Sequence, residues 1–353
     1  MLRARWLAQA SRASLKLIGG GVLHVLGQQA SRQSGAGVIR AQDLERELLF
    51  VCKEAAGARE GVFGPNSMTW RVARESALFL GAGRALLLQL AHPWVANAIA
   101  QHSGALADPL GRFHRTFHVM FSMIFGTLEQ ALVASRCLHR RHAAVTGTLP
   151  HTAAPFAAGS SYCANEASAL LWVYATLIET AVQAHDLVLP PLSTGERERY
   201  YTESRLLAAL FGIPRERLPP NWNAFAAYTQ SMLRSDVLSV TPEGRTIAEH
   251  MLKGNPHWLL APSCYRALTA TMIPQRLQEG FGLSEGRAER RLAEAAVASL
   301  RRIYPFFPER IRFVGPYHEA NSRLAGRPQP DLLTQLANQL WIGQRTLQPD
   351  ASR

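Results

Sequence analysis

Apolar residues recur along this chain at every third or fourth position, and the strict alternation that a half-buried strand needs is nearly missing. A 3.6-residue repeat gives each element one continuous apolar stripe, and such stripes are buried by packing helix on helix. The expectation is therefore an all-α protein. Its 353 residues, 47% hydrophobic and 18% charged, supply ample core and lie far from the composition of a disordered polymer.

Punctuation divides the chain further. Arg71 to Gly83 and Arg84 to His102 read as one helical region bent at Gly81-Ala-Gly83 or at His92-Pro93, where proline removes a donor. Asp108-Pro109 supplies an N-cap and a first-turn proline. Leu128 to Val145 follows, then Asn165 to Leu189, closed by Pro190-Pro191. Ser193-Thr-Gly-Glu196 has the form of a capping box opening a helix that stops at Phe211-Gly-Ile-Pro214. Further helices are expected over Asn221 to Val237, Pro242 to Lys253, Cys264 to Met272 and Ser284 to Ile303. One domain over residues 41–323 results, with a basic arm at 1–40 and a tail at 324–353. The arm holds Arg3, Arg5, Arg12, Lys16, Arg32 and Arg40 and no acid. It reads as a solvated extension, or alternatively as an amphipathic segment on a membrane surface.

Several functions drop out. The formal charge is +12, yet no helix-turn-helix, zinc-finger or aromatic RNA-binding signature accompanies it, so nucleic acid is not an expected partner. Cys52, Cys137, Cys163 and Cys264 form no C-x-x-C pair, which argues against a disulfide framework, a zinc knuckle or covalent haem attachment and fits a cytoplasmic location. There is no Glu-x-x-His, no His-Glu-x-x-His, no phosphate-binding glycine loop and no nucleophile elbow.

The stretch Asp108 to Gly126 is the informative one. On a helical wheel Arg112, Arg115, Thr116, Val119 and Met123 share a stripe, while His114, Phe117, His118, Phe121 and Phe125 lie opposite. Two guanidiniums and a hydroxyl leading into apolar side chains suit a flat ligand with anionic edges. They equally suit ordinary ion pairs at a helix end. On the next helix Leu138, His142 and Val145 share a face, with His139 about 60° away. A neutral imidazole there is an available metal ligand or a packed core histidine. His92 is expected to bond a carbonyl freed at the Pro93 bend, with Gln89 in a similar role, and His114, His118, Trp172 and Tyr174 to be structural. Glu166 and Glu179 are candidate partners for the Arg stripe.

Taken in order, Leu86-Leu-Leu-Gln89-Leu-Ala-His92-Pro93, Gln101-His102-Ser103, Asp108-Pro-x-Gly-Arg112-x-x-Arg115-Thr116, Phe125-Gly126 and His142-x-x-Val145-x-Gly147 resemble the rubber oxygenase (latex clearing protein) and MpaB oxygenase family. Tyr162-x-Ala164, Leu171-Trp172-Val173-x-Ala175-Thr176-Leu177, Tyr200, Leu218-Pro219 and Ile273-Pro274 continue the series over roughly residues 70 to 320. The resemblance implies a single helical domain with a globin-like core holding haem b, with His142 as the iron ligand. It also implies a cofactor site of Arg112, Arg115, Val119, Met123 and His142, with Arg115 and Thr116 as catalytic groups and His139 as the stand-in ligand. Rubber oxygenases carry lysine where this chain has Arg115, and no glutamate between Glu75 and Glu129 matches their acid, so polyisoprene cleavage is not carried over. The expected function is a haem-dependent oxidation of a hydrophobic substrate, using dioxygen and an electron donor that the sequence does not name. The alternatives are a non-catalytic haem- or lipid-binding protein and a peripheral membrane protein carrying a polyprenyl lipid.

Overall fold

The computed structural model describes residues 37–104, 107–253, 262–283, 286–327 and 329–347; the expected basic arm lies, up to residue 36, outside the described residues. Sixteen α-helices are described: α1 (Ala41–Glu54), α2 (Met68–Ala73), α3 (Ala82–Leu90), α4 (Pro93–His102), α5 (Pro109–Phe125), α6 (Leu128–Ala143), α7 (Ala167–Val188), α8 (Thr194–Leu210), α9 (Trp222–Arg234), α10 (Pro242–Lys253), α11 (Ser263–Thr271), α12 (Gln275–Phe281), α13 (Arg287–Ile303), α14 (Glu309–Arg312), α15 (Gly315–Leu324) and α16 (Leu332–Ile342). The protein is all-α apart from a small antiparallel pair, β1 (Thr146–Thr148) and β2 (Ser161–Cys163), in which Gly147 opposes Tyr162.

Local chemistry sets most boundaries. Asp108 caps α5 through the Gly111 amide, Thr127 and Gln130 close a capping box on α6, and Ser193 with Glu196 does the same for α8. The region expected to run from Arg71 to His102 with one bend is instead α2, a 3₁₀ segment over Ser76–Gly81, α3 and α4. The chain breaks both at the glycines and at His92-Pro93. Gly83 sits where a Cβ would lie 2.5 Å from the Thr269 hydroxyl, so this crossing of α3 and α11 requires glycine.

The core runs through α7. That helix is long and apolar enough to cross a membrane by length and composition, but 72% of its most apolar window is buried inside the protein, which makes it the central packing helix. Trp172 donates its indole N–H to the Leu88 carbonyl at 2.9 Å and Tyr174 meets Ser204 at 2.7 Å, so both are core aromatics as expected. Arg84, fully buried on α3, bonds Glu179 at 2.6 Å, the Thr180 hydroxyl and the Met272 carbonyl.

The expected tail beyond residue 323 is not a tail in its described part. Helix α16 packs on α5 and α15: Trp341 stacks on Phe79 with ring centroids 4.2 Å apart, His114 Nε2 lies 3.1 Å from the Leu340 carbonyl, and the Leu347 amide donates to Glu319 at 3.0 Å. The segment's apolar residues had suggested no partner from sequence, because Phe79 and His114 lie more than two hundred residues away.

Candidate active site

Helices α3 to α8 and the β1–β2 pair enclose a cavity of about 440 Å³. Apolar side chains make nearly all of its wall: Leu78 and Phe79 before α3, Val95 and Ile99 on α4, Phe117, Val119 and Met120 on α5, Leu170 and Leu177 on α7, and Leu207 on α8. A few polar groups also reach it. Arg112, Arg115 and Thr116 come from α5, Arg141 and His142 from the end of α6, and His102 from the end of α4.

The first two turns of α5 divide their cations. Arg115 is half exposed and pairs with Asp108 at 3.0 Å, and Thr116, also exposed, donates to the Arg112 carbonyl at 2.9 Å. Arg112, one turn back from Thr116, is half-buried and has neither an ion-pair partner nor a side-chain hydrogen bond among the described residues. Burial first, then the neighbouring Arg115 charge, pulls its pKa down, though a guanidinium remains charged at any ordinary pH. An unpaired cation facing an apolar cavity calls for an anionic partner.

The α6 face forms as the wheel required. Leu138, His142 and Val145 all line the cavity. The His142 imidazole has no hydrogen-bond partner among the described residues, and burial, with a smaller contribution from His139, pushes its pKa down to about 4. Its imidazole is therefore neutral at pH 7, and its nitrogen lone pair is available. His139 does not reach the cavity; its Nε2 is engaged by the Ile39 carbonyl at 3.0 Å and its own carbonyl accepts from Asn165. The stand-in ligand is thus a structural residue.

Other expectations shift. Met123 is fully buried in the core, and Met120 and Ile124 take the wall position expected for it, because the cavity-facing stripe drifts around α5 toward Phe121 in its last turns. His92 does not bond the bend: it caps α4 without a side-chain hydrogen bond, its Nδ1 is unpartnered, and burial lowers its pKa to about 4. Gln89 lines the cavity and donates to the Thr176 hydroxyl at 3.1 Å. Neither acid proposed for the Arg stripe reaches it: Glu166 caps α7 and Glu179 holds Arg84. His114 is structural as expected, its Nε2 3.1 Å from the Leu340 carbonyl, and His118 does not line the cavity; its Nε2 is buried without a hydrogen-bond partner among the described residues.

Two wall residues stand in the family series without a role attached to them. Tyr162 on β2 donates to Gln101 at 2.7 Å, and Gly147 opposite it leaves the room its hydroxyl needs, since a Cβ there would lie 2.5 Å away. Tyr200 on α8 is 4% exposed, lines the cavity, and its hydroxyl has no partner among the described residues. Tyr201 beside it is buried away from the cavity and bonds the Pro219 carbonyl at 2.6 Å.

A mostly apolar cavity with a neutral imidazole and an unpaired guanidinium among a few polar groups has the construction of a small-molecule site. Residues 70–302, well over half of the chain, match the family described as ER-bound oxygenase mpaB/B′ and rubber oxygenase, catalytic domain, and the chain belongs to that family. Every cavity-lining residue named above falls inside the matched span. No curated protein and no solved structure matches the chain.

Proposed function

We propose that this oxygenase works with haem b, held by His142, on a hydrophobic substrate admitted to the apolar cavity. The observation that carries the reading is the unpartnered, neutral His142 imidazole on the cavity wall, facing the same space as the unpaired Arg112. His142 is a lone imidazole on the wall, a donor that would suit a cofactor carrying further ligands of its own.

When bound, the haem supplies the redox chemistry with dioxygen. The chain's own groups do the rest. His142 would hold the iron, Arg112 would neutralise an anionic group of the cofactor, and Val119 and Met120 would supply apolar surface for it. Arg115 and Thr116 are the candidates for contact with the reacting atoms. Arg115 acts there as a permanent cation, a different role from that of lysine, which can lose its proton. The apolar walls exclude water and select a lipid-like or isoprenoid chain. With dioxygen and an external electron donor as co-reactants, the product is an oxidised or cleaved chain.

The test is optical. Protein supplied with haem is expected to show a Soret band that His142→Ala abolishes or shifts, while Arg112→Ala lowers haem retention. A His142→Ala spectrum identical to that of the unmodified protein removes His142 as the ligand. Substrate-dependent oxygen uptake then tests turnover separately.

A further inference from the structure

Helix α16 is built inside out. Its polar Thr334 and Asn338 are 2% and 0% exposed, while Leu332, Leu333, Leu336 and Leu340 are 67%, 65%, 59% and 66% exposed. The buried polar groups anchor the helix: the Asn338 amide nitrogen donates to Glu319 at 2.6 Å and to the Arg345 carbonyl at 3.0 Å, and Thr334 accepts from Arg310. The helix thus uses hydrogen bonds to attach itself and leaves its leucines in water. Scattered exposed leucines need no explanation, but a row on one helix whose opposite face buries asparagine does.

We propose that this leucine row is the surface by which the protein sits on an anionic membrane. The row extends for about 12 Å, at 1.5 Å per residue from Leu332 to Leu340. Four largely exposed leucines present on the order of 450 Å², well short of the roughly 800 Å² that each partner of a stable dimer gives up. A second copy of the chain is therefore a poor occupant, whereas an interfacial helix needs only a shallow apolar face. The charges agree. Exposed Arg327 before the helix and Arg345 after it have no ion-pair partner among the described residues, Arg310 and Asp331 cancel each other, and Glu309 is the opposing acid on the adjoining turn. The chain as a whole carries +12. Cations at both ends of an apolar row suit lipid headgroups that bear negative charge.

The row also runs against the helix that carries the cavity's cations: half-exposed Leu110 stands one turn before His114 on α5, and His114 meets the Leu340 carbonyl on the face of α5 opposite Arg112. A protein seated on this face would take a lipid-like substrate directly from the bilayer. That consequence rests on the proposed oxygenase reading, but membrane binding itself does not.

Co-sedimentation of the full chain with phosphatidylcholine vesicles containing about 30% phosphatidylserine, and with phosphatidylcholine alone, tests the proposal without haem or turnover. Binding is expected to the anionic vesicles and to fall with salt. The double variant Leu336→Ser/Leu340→Ser is expected to lower partition at least about tenfold, with an unchanged circular dichroism spectrum because both side chains are already solvent-exposed. Arg327→Gln/Arg345→Gln is expected to reduce binding by a smaller factor and to flatten its salt dependence. Failure of the unmodified protein to bind either vesicle overturns the proposal. So does a leucine variant that binds as well as the parent, or a parent dimer that the leucine variant converts to monomer.

Discussion

At the residue scale, Arg112, His142 and Tyr200 present polar atoms to the cavity without protein partners, and each has a neighbour of the same kind that is fully satisfied. Arg115 has Asp108, His139 has the Ile39 carbonyl, and Tyr201 has the Pro219 carbonyl. The difference predicts opposite responses to similar substitutions. Tyr200→Phe removes a hydroxyl that bonds nothing, so the unfolding free energy from urea titration should change by less than about 1 kcal/mol. Tyr304→Phe removes a hydroxyl bonded to Glu75 at 3.0 Å and to the Ala77 amide at 3.1 Å, and should cost about 1–3 kcal/mol. Equal losses in the two variants would contradict the assignment of Tyr200 to a ligand-facing role. The wheel identified Arg112 and His142 because both lie within regular helix, Arg112 in the first turn of α5 and His142 in the last turn of α6, where about 100° per residue still holds. It misplaced Met123 because the cavity does not run parallel to α5.

At the element scale, the joint between α3 and α7 is ionic as well as apolar. Arg84 and Glu179 are 1% and 11% exposed at the side chain and bond at 2.6 Å. Glu179→Ala leaves a buried guanidinium without its counter-charge and should destabilise the fold by about 3–5 kcal/mol, whereas the joint replacement Arg84→Met/Glu179→Leu should recover most of that loss. Chemical denaturation of the three proteins measures the difference, and additive losses would show that the pair is not coupled. Sequence placed Glu179 on the long apolar helix but assigned it to the wrong arginine, since a partner 95 residues away is set by how helices pack and not by local spacing. Helix α16 was missed for the same reason. Its anchor residues Thr334 and Asn338 are polar, so its apolar stripe points away from the core and carries no signal of burial.

At the scale of the whole molecule, several histidines are held neutral by burial. His92 and His142 have pKa values pushed from the ordinary 6.5 to about 4, and those of His118 and His318 are also lowered. Between pH 6.5 and 4 the unfolded chain binds protons at these sites and the folded chain does not, so stability present above pH 6.5 is lost as the pH falls toward 4. The buried carboxyls of Glu47 and Glu319, raised by burial, act in the opposite sense within part of that window. The cofactor-free protein should therefore unfold at lower urea at pH 5 than at pH 7, and His92→Leu should flatten the dependence; an unchanged slope in that variant would exclude His92 as a contributor. The sequence by itself determined the all-α class, the caps of α5 and α8, the faces that carry Arg112 and His142, and the family. All of these follow from residues within one or two turns of each other or from motifs in linear order. Tertiary structure alone decided which cations are neutralised, which histidine is free and which face of α16 meets water. Those outcomes depend on partners brought together across the chain, where the cost of leaving a buried charge or donor unpaired selects among packings that look alike in sequence.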